Sequence, residues 1–85
     1  MKLGIYSLKK TLFEGEARSI NCKTAAGEIT VLDNHRPLIS ILKEGILKII
    51  DAEGKEHYIP TSSGFLEVRP NDAKLLIEEK EKYSK

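Results

Sequence analysis

One cysteine, two histidines and a Ser-Ser-Gly triplet are the residues through which this chain could do chemistry, and their spacing argues against catalysis. A nucleophile needs a general base and a stabilising group held beside it. Cys22 is the best nucleophile available, but it shares a face with Ile20 in a stretch of alternating polarity, so the thiol is expected to be packed in a core. With a single cysteine, no internal disulfide can form, and two histidines cannot complete a His/Cys zinc cluster of ordinary spacing. A reducing, cytoplasmic setting fits that usage.

The remaining polar candidates are similarly dispersed. Ser62-Ser63-Gly64 belongs to neither a G-x-x-x-x-G-K-[ST] nor a G-x-G-x-x-G phosphate loop. His57 lies in a strand-like stretch with no Cys, Asp or second His at ligand spacing, and reads as a surface histidine. His35, beside Arg36, falls between two apolar runs, a loop position where function is more common than packing. No cofactor or metal is expected from these residues.

The elements that must carry these groups are short strands. Leu3 and Ile5 alternate with Lys2, Gly4 and Tyr6, as in a strand with one buried face. Thr11 to Phe13 leads to a turn at Glu14-Gly15-Glu16. Ile20 and Cys22 alternate with Ser19, Asn21 and Lys23, and Ala26-Gly27 closes that strand. Glu28 to Leu32 follows, and Asp33-Asn34 can adopt a tight turn. Leu38 to Lys43 is apolar on both faces, as in a strand covered on both sides. Ile46 to Ile50 and Glu56 to Ile59 flank a polar segment containing Gly54, the pattern of a hairpin, with Pro60 stopping the second strand. Phe65 to Val68, the turn Pro70-Asn71-Asp72 and Lys74 to Glu78 complete nine or ten strands. Connections this short leave no room for crossover helices, which argues against parallel pairing.

With 85 residues, a second domain would have no core. The domain is expected over residues 1–78, with a charged tail over 79–85. Forty per cent of the residues are apolar and 32% charged, a balance that favours folding over disorder. Fourteen basic against thirteen acidic residues leave a formal charge of +1, so there is no net attraction to nucleic acid or anionic lipid. Gly4 and Lys9-Lys10 interrupt the N-terminal apolar residues before a signal-peptide core can form, and no run is long enough to span a bilayer.

The stretch Gly27-Glu28-Ile29-Thr30-Val31-Leu32-Asp33-Asn34-His35-Arg36-Pro37-Leu38 resembles the GE-x-GIL-PGH-x-PL signature of the ε subunits of rotary ATP synthases. Leu12-Phe13-Glu14-Gly15-Glu16 is similar to that family's LF-x-GE segment, Lys43-Glu44-Gly45 to its K-x-G, and Ser63-Gly64-Phe65-Leu66-Glu67-Val68 with Pro70-Asn71 to its GGFLEV-x-PN. Four fragments in order and at the right spacing cover nearly the whole chain. Thr30 stands where the family often has Gly, and Asp33-Asn34 where it usually has Pro-Gly; both keep the local chemistry intact.

The resemblance implies an all-β fold, a ten-stranded antiparallel β-sandwich of two five-stranded sheets. It also implies a non-catalytic rotor subunit that docks the γ subunit onto the c ring, peripheral to the cytoplasmic face of a bacterial plasma membrane. His35, Ser7 and Ser40 match positions near the γ contact, and Glu28 matches an acidic residue facing the c ring. The family usually continues into a C-terminal helical hairpin associated with inhibition and ATP binding, whereas this chain stops before it, so no ATP binding is expected. The alternative to the rotor reading is a free-standing β-sandwich that binds a small ligand or peptide, since fold does not dictate function.

Overall fold

Alternation of apolar and polar residues places strands where the pattern requires them, and the computed structural model, which describes residues 1–80, contains strands and turns only. In chain order the strands are β1 (Lys2–Tyr6), β2 (Thr11–Thr24), β3 (Gly27–Leu32), β4 (Leu38–Leu42), β5 (Gly45–Asp51), β6 (Glu56–Arg69) and β7 (Asp72–Glu79). The all-β expectation holds, but there are seven strands, joined in one continuous hydrogen-bonded sheet, in place of ten in two sheets of five.

The difference arises at two places where turn residues do not end a strand. β2 runs through Glu14-Gly15-Glu16, and β6 runs through Pro60 and Ser62-Ser63-Gly64. Both strands change partners midway. Residues of β2 up to Glu16 pair with β1, whereas those from Ala17 onward pair with β5 and β3, with a register shift between Ala17 and Ser19. Residues of β6 up to Thr61 pair with β5, and those from Thr61 onward with β7 and β4, with a shift between Thr61 and Ser63. Such irregularities bend a strand from one layer into another. The Gly and Pro signals thus mark corners inside long strands, and Pro60, next to the second corner, is tolerated as prolines are at bulges.

Two layers follow from this exchange. One contains the first half of β2 with β1, β7, the second half of β6 and β4; the other contains β3, the second half of β2, β5 and the first half of β6. Leu3, Ile5, Leu42, Leu66 and Leu75 of the first layer and Ile20, Cys22, Val31 and Ile49 of the second all fall in a single buried cluster. One pairing overturns the expectation of a wholly antiparallel sheet: β1 runs parallel to β7, Leu3 opposite Ala73 and Ile5 opposite Leu75. Short connections restrict only strands adjacent in sequence, and these two are separated by nearly the entire chain.

Turn chemistry is local and legible. Asn34 adopts φ 62°, the left-handed conformation that Asn tolerates better than most side chains, so it supplies what a glycine would supply between β3 and β4. Gly54 does the same at φ 88° in the β5–β6 turn. The expected tail over 79–85 overlaps the end of β7 at Glu79, and residues 81–85 lie outside the described residues.

Candidate interaction surface

The nucleophile candidate is sealed in the core. Cys22 has no exposed surface, and burial pushes its thiol up to about 11, so it is protonated at neutral pH. His57 has a partner that its sequence spacing did not suggest. The β5–β6 hairpin pairs His57 with Ile49 and so brings Asp51 diagonally across from it, with Asp51 Oδ2 and His57 Nε2 2.8 Å apart. Asp51 Oδ1 accepts the amides of Glu53 at 3.0 Å and Lys55 at 2.9 Å, which ties the turn. His57, half-buried, sets its ring edge-on to Phe13 with centroids 5.2 Å apart. The Asp51 carboxyl is held below its ordinary range, chiefly by His57 and then by the Lys55 amide. This is the chemistry of a fastened hairpin. Among the described residues, no three His, Cys, Asp or Glu side chains are grouped to hold a metal ion.

The four candidate interface residues occupy separate places. His35 is half-buried in the β3–β4 loop, its Nδ1 2.9 Å from the carbonyl of Arg36. Ser7 closes the β1–β2 turn: its Oγ accepts the amides of Lys9 and Lys10, each at 3.2 Å, leaving Leu8 98% exposed at the tip. Ser40 shares the inward side of β4 with Leu38 and Leu42, opposite buried Leu66. It therefore points away from the face that carries Ile39 and Ile41. Glu28 is exposed near the start of β3, opposite Lys23.

What sequence reading did not assemble is an apolar row across the outer face of the first layer. Ile41 lies opposite Phe65, and Phe65 opposite Leu76. Leu76 in turn lies beside Tyr6 across the parallel pair. Ile41 is 55% exposed, Phe65 59% and Leu76 51%, and Ile39 is exposed alongside them. Tyr6 folds back over Gly4, where a Cβ would collide with its ring, and its hydroxyl donates to Glu14 Oε2 at 3.0 Å. Beside the row, Ser7, Leu8, Pro60, Phe65, Leu76 and Lys80 help line a shallow groove of about 730 Å³. A signal was available in the sequence: Leu75-Leu76-Ile77 and Leu38 to Leu42 carry apolar residues on both faces of strands whose fold buries only one.

The outer face of the second layer is different in kind. Asn21 Nδ2 donates to Thr30 Oγ1 at 2.8 Å, Lys48 lies 3.7 Å from Glu56, and the Tyr58 hydroxyl donates to Glu56. Scattered exposed apolar residues are ordinary on a soluble protein, whereas a contiguous row next to a groove marks a contact surface.

Residues 1–82 match the family described as the ATP synthase delta/epsilon chain, β-sandwich domain. An ATP synthase epsilon chain of Bordetella petrii is 35% identical over 78 residues, covering 92% of this chain and 55% of that relative. The chain thus spans about half the length of the curated relative it matches. Among solved structures, a chain of the Euglena gracilis mitochondrial ATP synthase superposes with a TM-score of 0.81 at 25% identity, over 88% of this chain and 48% of that one. A chain from the central stalk and c-ring of the Tetrahymena thermophila mitochondrial ATP synthase superposes with a TM-score of 0.78 at 15% identity, over 93% and 63%. The latter likeness bears on the fold alone.

Proposed function

Because the chain belongs to the ATP synthase delta/epsilon β-sandwich family, we propose that it is a non-catalytic central-stalk subunit of a rotary ATP synthase that docks the γ subunit onto the c ring. In this role it transmits torque between the ring and the catalytic head during ion-driven ATP synthesis, by surface complementarity and not by chemistry.

The observation that carries this reading is the exposed row Ile41, Phe65 and Leu76, directly paired across strands, whereas the exposed Leu32, Ile46 and Tyr58 of the other outer face are not paired with one another. Covering such a row with a partner removes apolar surface from water at roughly 25 cal/mol per Å². The row is the γ-facing surface in this reading, with Ser7 at the groove beside it and His35 at the loop that enters β4. Ser40 supports the same strand from its inner side. Glu28, exposed next to the β2–β3 turn, is the residue offered to the c ring, where a lone exposed charge contributes little energy and mainly orients the contact. No helix among the described residues is long and apolar enough to cross a membrane, and the proposed location is peripheral, at the cytoplasmic face.

Co-purification with the γ subunit of the same organism tests the reading. Binding by the wild-type chain and loss of binding on Phe65→Ser, with the fold intact by circular dichroism, are expected. Failure of the folded wild-type chain to bind γ would overturn it.

A further inference from the structure

The free edge of β3 carries an inference that goes beyond the rotor reading. Among the described residues, β3 is hydrogen-bonded to β2 alone, while its inner side chain Val31 packs in the core. The direction of its hydrogen-bonding groups can be read from its neighbour. The Lys23 carbonyl accepts the Lys43 amide at 2.9 Å, so it points away from β3. In an antiparallel ladder, paired residues alternate between exchanging hydrogen bonds and facing away from each other. Glu28, opposite Lys23, therefore turns its N–H and C=O outward, and Thr30 and Leu32 do the same. Of the usual devices that keep a sheet edge from pairing with another chain, the edge Gly27–Leu32 has no proline, lysine or bulge and carries one charge, Glu28.

We infer that this edge pairs with the same edge of a second copy of the chain, antiparallel about a two-fold axis at Thr30. The three outward-facing residues are spaced symmetrically about Thr30, so this register satisfies them all at once. Thr30 meets Thr30 of the copy, and Glu28 meets Leu32, each as a hydrogen-bonded pair. On the inner side, Ile29 lies opposite Val31, a β-branched pair of the kind that stabilises sheets. No like charges face each other, since the only charged residue of the strand lies opposite a leucine. A two-fold, self-complementary patch is the usual geometry of a homodimer. The dimer uses the Glu28 region and so describes the chain outside the rotor.

The test is the oligomeric state of the 85-residue chain by sedimentation over a concentration series reaching the millimolar range. The wild type is expected to dimerise, and Thr30→Val, which keeps the β-branch and loses only the Asn21 hydrogen bond, to dimerise equally. Thr30→Lys and Thr30→Glu place like charges on the axis and should each raise the dissociation constant by on the order of tenfold or more, equivalent to about 1.4 kcal/mol. Mixing the two should restore the dimer, which also shows that both are folded. A wild type monomeric throughout the series overturns the inference. So does a dimer that survives Thr30→Lys but is lost on Phe65→Ser, because that dimer would run through the apolar row.

Discussion

Asp51 and His57 face each other across the β5–β6 hairpin at 2.8 Å, on the side of the strands that carries Leu47, Ile49 and Ile59. The contact joins the two ends of the turn that Asp51 also ties through its second oxygen.

This pair makes the hairpin acid-sensitive. Asp51 has a folded-state pKa lowered from an ordinary 3.8, so its contribution to stability is present above that value and is lost as pH falls through the lowered folded value. Asp51→Asn should therefore unfold more readily than the wild type in urea at neutral pH, and the gap should close in the acid range below 3.8. A gap unchanged down to the lowest pH measured would contradict the assignment.

Cys22 should resist thiol reagents in the native protein and react at a rate set by unfolding, since the thiol is both inaccessible and protonated. Cys22→Ser places a hydroxyl among Ile20, Val31 and their neighbours and should cost about 1–3 kcal/mol. Labelling kinetics in increasing urea, alongside the equilibrium transition, would measure both.

Asn34→Ala should destabilise the domain by about 1–2 kcal/mol, because alanine at φ 62° brings its Cβ against the following carbonyl. Asn34→Gly should be close to neutral. Thermal unfolding of the two variants separates this backbone effect from any loss of side-chain contact.

His35→Ala should weaken γ binding while changing stability by less than about 0.5 kcal/mol, as expected of a position outside the core whose ring, among the described residues, bonds the adjacent carbonyl. Equal losses of stability and binding would assign the residue a structural role.

The two faces of β7 should respond oppositely. Leu75→Ala empties a fully buried site and should cost about 2–5 kcal/mol. Leu76→Ser, one residue on, should cost little stability and reduce γ binding. Chemical unfolding and a pull-down on the same two proteins provide the comparison.

Alternation alone identified most strands and their buried faces: Leu3 and Ile5, and Ile20 and Cys22, are all in the core where the pattern put them. The Asp33-Asn34 turn was legible too, because αL tolerance belongs to the residue itself. These are local properties, decided by side-chain direction along a strand and by backbone sterics.

Four features were decided by the assembled fold. Glu14-Gly15-Glu16 and Ser62-Ser63-Gly64 have turn composition, yet the chain continues through both as strand, because each half finds a different partner and the ladder stays satisfied around the corner. The parallel pairing of β1 with β7 joins residues from opposite ends of the chain, and Asp51 meets His57 only once the hairpin closes. The row Ile41, Phe65 and Leu76 exists because β4 comes from elsewhere in the chain to lie in register beside the β6–β7 hairpin. A one-dimensional pattern shows that each strand has apolar residues to spare; which of them become neighbours is a matter of strand order, which non-local pairing sets.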